Sequence, residues 1–412
     1  MAESNKVLAN HIIEMVGSLE PPMSSEWCIY RVPHDLRKLN EEAYTPRFIS
    51  IGPFHHGNER LQIMEKLKVR YFKRFLEKTK LNIENLVSAI RDWEGNVRRC
   101  YAETSQLSSD NYVKMIMLDA SFIIVFFLRY QHQEWTHAQD FTVFDPRLIH
   151  DIRLLENQLP FFVIEKLYDF AFLSTQKYPS FSQLAISFFK EDNTQDMALH
   201  PNMKIMHFVD LLRTFFLPLS CRLPPRNSNG KAMLLYTASQ LHDAGVKFKV
   251  GTSKCLFELK FRNGVLEIPT LNLYGSIEHF FLNLVALEQF YCPLDRYVTD
   301  YFQVLNFLID TKKDVDLLVR KGILVNRLGE SNVVTTFVNN ICNQIYFSGT
   351  NSHYFRLCEA LNTFYEVRLH RWKATLSRDY FSNPWRTTAT VGAIILLLLT
   401  LTQAICSILS LP

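Results

Sequence analysis

The chain has 412 residues, 48% of them hydrophobic and 13% aromatic, with 32 Phe and 17 Tyr. That is enough apolar material for a large packed core in one large or two medium domains, and it argues against disorder. A net charge of +4 with no dense basic stripe argues against a nucleic-acid partner.

In chain order, the opening MAESNKVLANHIIEMVGSLEPP has no continuous apolar stretch, because Glu3, Lys6, His11 and Glu14 interrupt it. It does not read as a secretory signal. Residues 1–26 are expected to be a flexible N-terminal arm. No Asn-x-Ser/Thr sequence occurs anywhere, which fits a body that never enters the secretory lumen.

Next comes Phe48-Ile49-Ser50-Ile51-Gly52-Pro53-Phe54-His55-His56-Gly57. Two adjacent histidines between Gly-Pro and Gly admit a metal site, a catalytic base or a turn. Metal-binding pairs usually lie three or four residues apart on a helix. His34, His55 and His56 with a carboxylate would make a site, but nothing local demands one. A turn needs less: Gly52 and Gly57 relax the backbone, Pro53 stiffens it, and the ring nitrogens bond nearby carbonyls.

Leu61, Met64, Leu67, Tyr71, Phe72 and Phe75 fall at helical spacing, with Glu65, Lys66, Arg70 and Lys73 opposite. Further helical patterns cover 80–100, 111–130, 146–173, 179–190 and 203–217. The apolar run Ser121–Leu128 is too short to span a bilayer and reads as a core helix. Arg222-Leu223-Pro224-Pro225-Arg226-Asn227-Ser228-Asn229-Gly230 is the clearest linker. A helix over Ala232–Ala244 follows, with Gly245 as its C-cap.

The convincing β region lies between 246 and 273. Val246–Val250, Cys255–Arg262 and Val265–Ile268 favour strands, and Asn263-Gly264 is a strong hairpin signal. Pro269 ends the last strand or places it at an edge. Helices resume at Ser276–Phe290. Thr311-Lys312-Lys313-Asp314 is a capping-box variant. Asp314-Val315-Asp316 has the spacing of a metal motif but reads better as a solvated first helical turn. A long final helix is expected near 353–376.

From Thr387 to Leu411 no residue is charged. A helix over Val391–Leu411 would be about 31 Å long, close to a hydrocarbon core of roughly 30 Å. Arg368, Arg371, Lys373, Arg378 and Arg386 lie just upstream, interleaved with Trp372, Tyr380, Phe381 and Trp385. Positive charge with an aromatic belt marks a cytoplasmic interface. Residues 387–412 are therefore expected to be a C-terminal transmembrane anchor, with residues 387–411 contacting the membrane and the body in the cytosol. The rival, a glycolipid-anchor signal, would need a signal peptide.

Three polar clusters interrupt apolar runs. Asp119 lies within Met115–Phe127, Glu156-Asn157-Gln158 between Leu154-Leu155 and Leu159-Pro160, and Asn283, Glu288 and Gln289 within Phe280–Tyr291. A buried carboxylate must be paired or protonated, and two together can act as general acid and base. The catalytic candidates are therefore Glu156, Glu288 and Asp119, with His55 or His56. A polar network joining helices is the simpler reading and is favoured. Pro160 supports it, because it cannot supply the helical N–H to the Glu156 carbonyl and suits the start of a new helix. The eight cysteines, Cys28, Cys100, Cys221, Cys255, Cys292, Cys342, Cys358 and Cys406, show no zinc spacing and read as reduced thiols. No GxGxxG, Walker A, HExxH or GxSxG motif occurs. No cofactor and no metal is expected.

The residues also resemble a known plant family, domain of unknown function 247. The matching pieces are Cys28–Pro33, Tyr44-Thr45-Pro46, Ser50–Gly57, Met64–Lys68, Leu154–Pro160, Ala244-Gly245-Val246, Phe261–Pro269, Asn283–Gln289 and Asn383-Pro384-Trp385, in family order. One piece departs: the family commonly has Asp-Gly-Cys-Phe-Ile where this chain has Asp119-Ala120-Ser121-Phe122-Ile123. The carboxylate is kept and the thiol is not. The resemblance implies a plant membrane protein with one C-terminal span and no established enzymatic activity or cofactor. Some members are implicated in pollen–stigma self-incompatibility in grasses, which implies recognition or signalling; kinship of fold does not carry that role to this chain.

The expectation is a mainly α chain: a helical cytosolic body over 27–386, with any subdivision at the 222–230 linker, one small antiparallel sheet near 246–273, and the anchor. Its expected function is that of a tail-anchored, single-pass interaction or signalling component with protein partners. The alternative is a hydrolase or transferase that uses the buried carboxylates with the tandem histidines.

Overall fold

Side-chain caps set many of the helix ends. Asn82 accepts the backbone N–H of Glu84 at 2.7 Å and starts the helix Ile83–Arg99. Lys80, in the left-handed region at φ 56°, closes the helix before it. Capping boxes open Phe181–Phe188 (Ser180 with Gln183), Ala238–Ala244 (Thr237 with Gln240) and Lys312–Arg320 (Thr311 with Asp314). Gly245, at φ 110°, ends the second of these. The computed structural model describes residues 2–18, 27–132, 145–172, 178–198, 203–218, 233–292, 295–345, 352–367, 372 and 384–409. The chain divides into two compact units, Met1–Phe215 and Phe216–Pro412.

In the first unit, α1 (Ala2–Ser18) forms most of the expected arm and is exposed from Asn5 to Glu14. Then follow α2 (His34–Leu39), α3 (Gln62–Thr79), α4 (Ile83–Arg99), α5 (Ser109–His132), α6 (Pro146–Ile152), α7 (Phe161–Phe172), α8 (Phe181–Phe188) and α9 (Phe208–Phe216). The core is built on α5, which packs against α3, α4, α7 and α8. Phe127 lies at its centre, with its ring stacked 4.1 Å from that of Phe188, and Phe181 and Phe208 beside it. The pattern over 146–173 breaks into α6 and α7. Residues 153–160 leave the helix because the side chains of Glu156, Asn157 and Gln158 take up backbone groups, and Pro160 starts afresh.

In the second unit, α10 (Ala238–Ala244) leads into β1 (Lys247–Val250), β2 (Lys260–Arg262), β3 (Val265–Ile268) and β4 (Leu271–Leu273). Then come α11 (Ile277–Phe290), α12 (Tyr297–Leu308), α13 (Lys312–Arg320), β5 (Leu324–Asn326), α14 (Ser331–Cys342), α15 (Ser352–Glu366) and α16 (Pro384–Leu409). The chain is mainly α, as expected, but the β region is richer than one antiparallel hairpin. β2 and β3 form that hairpin, with Asn263 and Gly264 at φ 52° and 74° as its turn demands. β1 adds to β3 in parallel, making a mixed sheet in the order β1-β3-β2. A separate parallel pair joins β4 to β5. The helices α12 and α14 and the strand β5 were not anticipated. The final body helix ends at Glu366; residues 368–371 and 373–383, with much of the basic aromatic flank, and the 222–230 linker lie outside the described residues.

Candidate functional site

The Phe48–Gly57 loop and the 151–158 segment are bound together by buried side chains of the first unit. Asp151 accepts three successive backbone N–H groups, from Arg47 at 3.1 Å, Phe48 at 2.7 Å and Ile49 at 2.8 Å. Asn157 accepts from the Ile51 N–H at 2.7 Å and donates to the carbonyls of Ile49 and Asp151, both at 3.0 Å. Gln158 donates to the carbonyls of Ile152 and Leu154 and accepts the Phe208 N–H at 3.0 Å. Paired in this way, the amides satisfy backbone groups that would otherwise be buried without partners.

At Gly52 the two segments lie in close contact. This glycine sits at φ 75°, and a Cβ there would stand 2.4 Å from the Gln158 carbonyl oxygen, so no other residue fits. Its N–H donates to Asp119 of α5 at 2.8 Å. Asp119 also pairs with Lys68 of α3 at 2.6 Å, and Lys68 in turn meets Glu65 at 2.6 Å. Burial raises the Asp119 carboxyl above its ordinary value, while Lys68 and the Gly52 N–H act in the opposite direction.

Glu156 is the centre of a second cluster. Its carboxylate accepts from Arg37 and from the Val32 N–H at 3.0 Å, with Arg31 at 3.6 Å and His55 Nε2 at 3.4 Å. Burial by itself would raise this carboxyl, but His55, Arg37 and the Val32 N–H together hold it below its ordinary value. Arg31 spans the rim: its guanidinium donates to the Phe54 carbonyl at 2.7 Å, lies 4.7 Å from the centre of the Phe54 ring, and meets Glu103 at 3.0 Å.

The fold thus brings together Glu156 with His55, and Asp119 with Gly52 of the same loop. His56 is half-buried on the turn, where its N–H meets the Pro53 carbonyl at 3.4 Å. Glu288 belongs to the second unit, near the carboxyl end of α11, and its carboxylate meets the amino end of α12. It accepts the N–H groups of Val298 at 3.1 Å and Thr299 at 2.9 Å, and the Thr299 hydroxyl at 2.9 Å. That is helix capping from a distance. Gln289 donates to the Gln344 carbonyl at 2.9 Å and Asn283 to the His279 carbonyl at 2.7 Å. Asp314, expected to be solvated, is buried: its carboxylate accepts from Ser239 and Thr311. A capping box that also reaches a second helix draws the side chain out of solvent.

Sequence reasoning missed Asp151, Arg31, Arg37 and Lys68. For Lys68 a signal existed: Met64, Lys68, Tyr71 and Phe75 share one helical stripe and all are buried. A cavity of about 430 Å³ also lies in this unit, and none of Asp119, Glu156, His55 or His56 lines it. No group of three or more His, Cys, Asp or Glu side chains among the described residues is placed to hold a metal ion.

The sequence pattern of domain of unknown function 247, described as a plant protein of unknown function, matches residues 29–399. The chain belongs to that family. It is 30% identical to the UPF0481 protein At3g47200 of Arabidopsis thaliana, an alignment that covers 96% of this chain and 89% of the relative. It is 23% identical to the putative UPF0481 protein At3g02645 of the same plant, over 90% of this chain and 88% of the relative. No solved structure matches the chain.

Proposed function

We propose that this plant protein is a tail-anchored interaction component, held to a membrane by α16 with its helical body in the cytosol. One observation carries this reading. Trp385–Cys406 is a 22-residue apolar helix of which no part is buried inside the protein. Leu396, Leu397 and Leu399 are each at least 60% exposed, so the helix needs an apolar environment that its own unit does not supply. At 1.5 Å per residue it is about 33 Å long, enough for a bilayer core of roughly 30 Å. Trp385 and Arg386 at its start suit the interface, and basic residues upstream favour a cytosolic body.

The buried carboxylates fit this role as fasteners of a rigid recognition body. The enzymatic alternative has less behind it, because Glu156, Asp119 and Glu288 each spend their oxygens on groups of the fold. Alkaline carbonate extraction tests the anchor: the full chain should stay in the membrane pellet, and a chain lacking residues 384–412 should move to the supernatant. Release of the intact chain would overturn the reading. Proximity labelling with and without the same segment tests the mode of action, and an unchanged set of neighbours would count against recruitment by the membrane.

A further inference from the structure

We infer that the cavity of the first unit is a binding site for a small organic anion, with an acidic head at a cationic rim and an apolar, ring-sized body inside. This is independent of the membrane anchor. The cavity measures about 430 Å³, within the roughly 300–1,000 Å³ typical of small-molecule sites and too small for a two-chain lipid. Pro160, Phe161, Phe162, Met203, Ile205 and Met206 give it an apolar wall.

Charge decides the class of ligand. Arg99, Lys166 and Lys204 line the cavity against a single carboxylate, Glu165. Glu165 accepts the Ser182 hydroxyl at 2.8 Å. The Lys166 ammonium lies 5.5 Å from the Phe162 ring centre and 5.7 Å from that of Trp93, which keeps it near the mouth. The amino end of the twelve-residue α7 also meets the cavity, and its dipole favours negative charge.

The wall is built in advance. The Phe161 N–H donates to the Met206 carbonyl at 2.7 Å, and the N–H groups of Cys28 and Ile29 share the Cys100 carbonyl at 3.0 Å. Burial pushes the His207 imidazole down to about 4, so it is neutral at pH 7, and its Nε2 donates to the Cys28 carbonyl at 3.0 Å. Such fixed walls lower the cost of ordering on binding. Cys28 and Cys100 lie on this wall in mutual contact, and that contact together with burial holds the Cys28 thiol far above its ordinary range.

The test uses the full chain in nanodiscs of zwitterionic lipid, with naphthalene-2-sulfonate as probe and uncharged 2-methylnaphthalene as control. Calorimetry should show saturable one-site binding of the anion and none of the uncharged control. Calorimetry should show the Lys166→Glu, Lys204→Glu double variant weakening the probe about tenfold, the worth of one charge-assisted contact. Both lysines are exposed, so far-UV circular dichroism and the thermal unfolding midpoint should be unchanged. Glu165→Gln should tighten binding, giving a second test of opposite sign. Equal binding of the uncharged control, or unchanged affinity in both variants, would overturn the proposal. So would loss of probe binding when the nanodiscs contain anionic lipid, which would assign the rim to a membrane headgroup.

Discussion

Two helices among the described residues are long and apolar enough to cross a bilayer, and they meet opposite fates. In Ser109–His132, 83% of the apolar window is buried in protein; in Trp385–Cys406, none is. The difference lies in where each sends its polar groups. The first directs its charged groups outward to other elements, Asp119 to Lys68 and Gly52 and Arg129 to the Tyr71 hydroxyl at 3.0 Å, while its Ser121 hydroxyl returns to the Leu118 carbonyl at 3.2 Å. In the second, the Thr400 and Thr402 hydroxyls return to carbonyls four residues back, at 2.8 and 2.7 Å. A helix that satisfies its own polar groups suits lipid, where no outside partner exists. A helix that exports them must be buried among protein partners.

The sharpest way to break this comparison is at the aromatic cluster around the buried helix. Phe127→Ala removes the ring that Phe188, Phe181 and Phe208 pack around, and should cost about 3–5 kcal/mol. Urea titration of the full chain, followed by tryptophan fluorescence, measures it. A loss under about 1 kcal/mol would mean that α5 is not the core. Lys68→Met comes next. It leaves Asp119 buried without its cation, a change that should cost about 3 kcal/mol or more. Adding Asp119→Leu should recover only part of the loss, because the Gly52 N–H would then lack its acceptor.

Glu156→Gln is smaller, about 1–3 kcal/mol near pH 7, and its signature is in pH. The folded carboxyl lies below its ordinary value of 4.5, so its stabilisation is complete above that value and is lost as pH falls through the lowered one. The variant should show a shallower loss of stability in acid than the parent. An identical acid limb would mean that the Arg37 and His55 contacts do not hold this carboxylate ionised.

Much of this contrast was legible in the sequence. The unbroken apolar run at 387–411 and the shorter Ser121–Leu128 run within a longer helical pattern differ in length and in interrupting charge, and the assignment of one to a core helix follows from that. The Asn263-Gly264 turn was legible because its positive φ angles restrict residue choice. The parallel pairs β1 with β3 and β4 with β5 were not, since their registers join residues such as Leu271 and Leu324 that no local pattern links. The candidate site divides in the same way. Asp119 and Glu156 stand out because a carboxylate in an apolar run is costly. Their partner Arg37 does not, because a cation on a helix ordinarily faces water; Lys68 is betrayed only by its place on the buried stripe of α3 with Met64, Tyr71 and Phe75.

The smallest effect belongs to the exposed helix, and it separates the two helices most cleanly. Leu397 is 70% exposed and touches no core, so Leu397→Ala should move the urea midpoint of the body by no more than about 0.5 kcal/mol in equivalent terms. Under the anchoring proposed above, the lost methyl groups would face lipid only, and one residue in a span of this length should leave the carbonate-resistant pool intact. Leu397→Arg should instead weaken that resistance, because a cation at mid-helix costs roughly 2.5–3.5 kcal/mol on insertion. It should still leave the urea midpoint where it was. If Leu397→Ala destabilised the body as Phe127→Ala is expected to do, α16 would be packing against protein, and the opposition between the two helices would fail.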